Sequence, residues 1–352
     1  LTPAVNLHIL AAEFTQLSRS AFFEPAFQKF SAKTAEVIEH VLQNVAVYPE
    51  DVVRLFQDHV WNVLQFVSGS RSNDAPHETQ YVLRKALKEW VSEDALVSSA
   101  SLNSFDFFVN LADFWDFVAQ AIDGYETDGY SPLVVRIGSP AAFKHRPVFC
   151  VPLFHELGHF VDHHYKISET SVLLNLAPAP DGISTEQWQN LNVQHRMEHF
   201  ADLFAACYCG EATNFSLFAI APKNGDSPSH PSTQRRIQVV DDFLAGRHNP
   251  TVNLLQAALK ARKQDILKVR FIEPSVDCFD DVLTCKISSL EELYGIFLSS
   301  WKYLHTQIDN RSAPWITADA DASTIEKTVN DLTGKSLRNY EIVERWKNVS
   351  SN

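Results

Sequence analysis

At 352 residues, with 45% apolar and 21% charged residues and only 11 glycines, the chain can bury a substantial core unaided, and its composition points to a mainly helical globular protein. A formal charge of −13 without any dense basic run argues against a nucleic-acid backbone or an anionic membrane surface as partner. The most apolar stretches, 111–122 and 147–154, fall short of the roughly 20 residues of a membrane span, so none is expected.

From about 5 to 125 apolar residues recur at helical spacing, as in Val52, Val53, Phe56, Val60, Val63, Leu64 and Val67, with polar breaks near 69–77 and 98–104; the whole region reads as helical. The aromatic cluster at 105–117 fits a helical core, or the floor of a peptide groove. Residues 132–140, PLVVRIGSP, are β-branched and bounded by proline and Gly-Ser-Pro, and form the strongest strand signal in the chain. A helix follows from about Val148 to Tyr165, with Pro152 in its first turn, where a missing N–H is tolerated. After a Pro/Asp/Gly loop at 177–184 comes a second helix, about 185–209, then a polar loop at 222–232 and a helix from Thr233. The remainder reads as further helices broken around 246–250, 273–277 and 309–316. The expected fold is mainly α with a small β-sheet, a central core at 131–245 flanked by helical regions at 1–130 and 246–352.

The helix at 148–165 carries H155-E-L-G-H159. Four residues apart, His155 and His159 share one helical face and can both place an imidazole nitrogen on one metal ion, with Glu156 beside them in reach of a water that the metal activates. The bland alternative is a surface helix with casual histidines. A catalytic zinc needs a third protein ligand. The short-range pattern H-E-x-x-H-x-x-G-x-x-H fails, because Asp162 and Tyr165 stand where glycine and histidine are required, and His163 and His164 are out of register. The second helix offers E198-H-F-A-D202: Glu198 can be the third ligand, and Asp202, one turn on, can accept a hydrogen bond from the far N–H of a ligating histidine. Apolar neighbours (Phe200, Leu203, Phe204) mean that two carboxylates there need a cation or donors.

Together HELGH, EHFAD and H230-P-S-T-Q-R-R236-I resemble the gluzincin metallopeptidases, most closely the CAAX prenyl protease and HtpX-type family, over roughly residues 133–240. The resemblance implies a zincin-like core, Zn2+ as cofactor, Glu156 as general base, His230 as donor to the oxyanion, Arg236 as support for the carboxylates, and a peptide or protein substrate. Relatives of that family usually carry membrane helices, so prenylated or membrane substrates are not carried over. The run E198-H-F-A-D-L-F-A-A is also similar to the ImmA/IrrE family of soluble peptidases. A different class of function remains alongside: a non-catalytic zinc-binding scaffold or sensor that recognises a protein partner through its helical flanks.

An extended substrate could add to the strand at 133–137. The five cysteines, an odd number, read as reduced core residues of a soluble cytoplasmic protein; as the chain starts at Leu1, a removed signal peptide is left open. Cys207 and Cys209, two apart on a helix, cannot share a face and are expected in the core, as is Cys150. Asn214, Asn310 and Asn348 begin N-x-S sequons.

Overall fold

In this computed structural model, residues 3–20, 22, 26–69, 77–91, 95–102, 108–112 and 114–350 are described. The chain forms two units, residues 1–80 with 91–144 and residues 81–90 with 145–352. The architecture is mainly α with one small sheet, as expected. Among the described residues no helix is long and apolar enough to cross a membrane.

In the first unit, helices α1 (Pro3–Ser18), α2 (Ala26–Gln43), α3 (Glu50–Gly69) and α5 (Phe114–Ala121) bury one stripe each. Leu7, Leu10, Phe14, Phe27, Phe30 and Phe56 form the centre of their core. The apolar stripe expected on α3 is the one that is buried, through Val53, Phe56, Val60, Val63 and Val67. Helix α4 (His77–Lys88) carries the chain from this unit into the second.

Two strands correct the all-helical reading of this region: β1 (Ala95–Leu102) and β2 (Phe108–Ala112). Strand β3 (Leu133–Pro140) lies where the β-branched run placed it, between them, parallel to β1 and antiparallel to β2. The serine-rich β1 has little intrinsic strand preference. What makes it a strand is the ladder with β3, a pairing between segments far apart in the chain that local periodicity does not report. The centrality of β3 also overturns the expected strand addition at 133–137, because β1 and β2 already occupy both edges of that stretch. Of the aromatic cluster at 105–117, residues 105–107 and 113 lie outside the described residues; 108–112 are strand and 114–117 begin α5, with Phe114 and Trp115 in the core.

In the second unit α6 (Pro152–Tyr165) follows a single 3-10 turn at Pro147–Cys150, and Pro152 occupies its first turn. Then come α7 (Ile167–Leu174), α8 (Thr185–Cys209), α9 (Ala212–Ile220), α10 (Thr233–Leu244), α11 (Pro250–Ala261), α12 (Leu290–Asn310) and α13 (Ala322–Ser350). Helix α8 starts on a reciprocal capping box between Ser184 and Gln187. From Glu198 to Cys209 every residue of α8 is buried, because α6, α7, α9, α10, α11 and α12 surround it.

One stretch departs from the expected helices after 246. Residues 262–289 contain only a 3-10 turn, Asp277–Asp281. This segment is held instead by backbone bonds to neighbouring helices: Arg270 N donates to Cys207 O (2.7 Å) and Ile272 N to Glu291 O (3.0 Å). All five cysteines are free thiols, and Cys150, Cys207 and Cys209 are fully buried.

Candidate metal centre

Helices α6 and α8 pack against each other, and the contact is unusually close at one point. A Cβ on Gly158 would sit 2.8 Å from Ala201 Cα and 3.0 Å from Phe204 Cβ. Glycine is thus required next to His159, and it brings the histidine face of α6 directly onto Glu198, one turn before Ala201.

There His155, His159 and Glu198 each offer a ligand atom, all within 4.8 Å of one another. His155 Nε2 lies 3.6 Å from Glu198 Oε2 and His159 Nε2 lies 3.4 Å from Glu198 Oε1. These separations exceed good hydrogen bonds of about 2.7–3.2 Å. They match the roughly 3.4 Å between two ligand atoms held at about 2.0–2.1 Å from one tetrahedral ion. The two imidazole rings are one turn apart and nearly perpendicular, 87°. His163 and His164, at the end of α6, are outside this group. Among the described residues this is the single group of histidine, cysteine and carboxylate side chains that could hold a metal ion.

Behind the cluster stands a second layer. Asp202 accepts from His155 Nδ1 (2.9 Å), which leaves Nε2 as the free lone pair facing Glu198. Arg236, on the first turn of α10, grips Asp202 bidentately, Nε to Oδ2 and Nη2 to Oδ1, both at 2.7 Å. Its Nη1 also reaches Glu198 Oε2 at 3.0 Å. The donors that two carboxylates in apolar surroundings need are therefore supplied, in part, by one guanidinium.

Burial alone would push the Glu198 carboxyl up, but the close approach of His159 and the charges of His155 and Arg236 overcome it and hold it at about 2. Asp202 follows the same balance: its burial is outweighed by Arg236 and His155, which keep it well below the usual carboxylate range. His159 is raised despite its burial, through Glu198, Glu156 and Asp162. The charge count around the cluster is then telling. Glu198 and Asp202 are two buried carboxylates against the single guanidinium of Arg236, an excess of negative charge that favours a cation in front of them.

His230 closes one side. Its Nε2 lies 3.4 Å from Glu198 Oε1 and its side chain is 54% exposed, so it borders the cluster without joining the three inner residues. Several residues not singled out in the sequence place it. His195, one turn before Glu198, bonds Ser227 O at 2.7 Å and so ties the His230 loop to α8. Asp226 accepts from Ser232 N (2.8 Å) and pairs with Arg235 (3.1 Å). Ser227 N donates to His230 O (2.9 Å). The spacing H195-x-x-E198 on α8 was the available signal for the first of these. His199, next to Glu198, is buried, and burial pushes it down to about 4, so at neutral pH it is an uncharged core residue.

Compared with known protein families, with curated proteins and with solved structures, the chain finds no match.

Proposed function

We propose that the chain is a zinc-dependent metallopeptidase of gluzincin type that hydrolyses peptide bonds. The observation that supports this reading most is the convergence of HELGH, EHFAD and the HP-x-x-x-x-R segment on one point, with His155, His159 and Glu198 innermost and Asp202 and Arg236 locking them from behind. Two imidazoles and one carboxylate are the donor set of catalytic zinc sites and leave a fourth position open. Bound there, zinc would supply Lewis acidity, drawing the pKa of water from about 15.7 towards about 7 and polarising a carbonyl.

The chain's own groups then have defined tasks. Glu156, beside the two histidines on α6, takes the proton of the attacking water and passes it to the departing amine nitrogen. His230, on the solvent side of Glu198, donates a hydrogen bond to the oxyanion; loss of such a donor typically costs roughly 100- to 1000-fold in turnover. Asp202 fixes the tautomer of His155, and Arg236 keeps both buried carboxylates ionised.

The test is elemental analysis and a peptide-library cleavage assay on wild type beside Glu156→Gln. About one zinc per chain in both proteins, with cleavage only by wild type, is the expected result. Absence of zinc uptake would remove the metal reading. Zinc in both with cleavage by neither would leave a scaffold or sensor in place of an enzyme.

A further inference from the structure

The two metal-facing histidines are not held alike. His155 Nδ1 is fixed by Asp202, whereas His159 Nδ1 is buried and has no hydrogen-bond partner. A histidine that binds metal through Nε2 carries its proton on Nδ1, and that N–H needs an acceptor to set the ring's orientation.

One turn further along α6 stands Asp162, 2% exposed. Its Oδ1 accepts the Ser168 amide at 2.6 Å and so joins α6 to the start of α7. Its Oδ2 is buried and, like His159 Nδ1, without a partner. Residues three apart on a helix are neighbours, and the two groups feel each other's charge. A donor and an acceptor, both buried and both unmet on adjacent turns, complement each other; the Ser168 hydroxyl, also buried without a partner, is the second donor beside this carboxylate. The start of α7 gives one reason for an acid here, since the Ile167 amide and the Ser168 hydroxyl act on the same carboxylate as the Ser168 amide, yet Oδ2 makes no hydrogen bond of ordinary length.

We propose that Asp162 is the positioning residue of His159: its Oδ2 accepts the Nδ1–H, directly or through one bridging water, and turns Nε2 towards Glu198. The inference rests on the metal-centre reading above. Each inner histidine then has its own carboxylate, Asp202 reaching across from α8 and Asp162 from the same helix.

Asp162→Asn tests it, because asparagine keeps the Oδ1 acceptor for Ser168 but can place its amide group opposite the Nδ1–H. Zinc affinity would be measured by chelator competition on the full chain, alongside the melting temperature of the metal-free protein. Zinc should bind about 10- to 100-fold more weakly, the usual effect of losing such a partner, while the metal-free melting temperature stays near that of wild type. Nitrogen-15 histidine spectra of zinc-loaded wild type provide a second readout that does not depend on the variant's folding: His159 Nδ1 should carry a slowly exchanging proton with a carboxylate-bonded shift. Undiminished zinc affinity in Asp162→Asn would overturn the proposal. So would a rapidly exchanging Nδ1 proton in wild type. If wild type itself takes up no zinc, it is the metal-centre reading that fails, which is a distinct outcome.

Discussion

Gly158→Ala places one methyl group where α6 and α8 meet. The added carbon would lie 2.8 Å from Ala201 Cα, 3.0 Å from Phe204 Cβ and 3.2 Å from Ala201 O. Carbon atoms prefer about 3.5–4.0 Å, so the helices must part by about 0.7–1.2 Å. The nearest obstacle is backbone and cannot rotate away. His159 is the next residue on α6, and Glu198 lies one turn from Ala201 on α8, so the displacement falls on the 3.4 Å gap between their ligand atoms. Metal bonds tolerate departures of only about 0.2 Å; the triad would lose one ligand. Overpacking costs about 1–3 kcal/mol, offset by about 1 kcal/mol from the better helix propensity of alanine. The metal-free protein should thus fold, with a net loss of at most about 2 kcal/mol, while zinc affinity drops by at least about 100-fold. Chelator competition and calorimetry on the same preparation measure the two quantities. Wild-type zinc affinity in Gly158→Ala would refute the close-approach argument.

Arg236→Ala leaves Glu198 and Asp202 buried without their guanidinium; removal of one partner of a buried pair costs about 3–5 kcal/mol. Arg236→Lys should recover little of this, since a lysine cannot reproduce the bidentate grip, and urea unfolding checks both variants. For metal-free protein, the depressed carboxyls of Glu198 and Asp202 contribute stability that is present above their unfolded values near 4 and is lost as pH falls through that range towards about 2. The raised His159 acts in the opposite sense: its contribution is complete below about 6.5 and lost as pH rises through its folded value, just where deprotonation frees Nε2 for metal, so zinc affinity should rise with pH. Thermal scans and zinc titrations between pH 3 and 8 should separate the two trends. Asn214, although it starts a sequon, is buried and bonds Asp241 at 2.7 Å, so on passage through a secretory pathway folded protein should carry no glycan there, as mass spectrometry of the peptide would reveal.

Much of the centre was legible because a helix converts spacing into geometry. A spacing of four from His155 to His159, and of four from Glu198 to Asp202, sets each pair on one face before any tertiary contact forms. The apolar run after Glu198 correctly marked a buried helix, and the β-branched run at 133–137 correctly marked a strand. Local order alone could not foretell β1, β2 or the irregular stretch at 262–289, whose conformations are settled by distant partners: β3 for the strands, Cys207 O and the start of α12 for the stretch. Nor could it tell which histidine Asp202 would hold, that Arg236 would take both of its oxygens, that Gly158 would meet Ala201, or that Asp162 would lie buried with one oxygen unmet. Periodicity within one helix states which residues face the same way; which residue of another helix they meet depends on the depth and register of packing, and that exists only once the chain has folded.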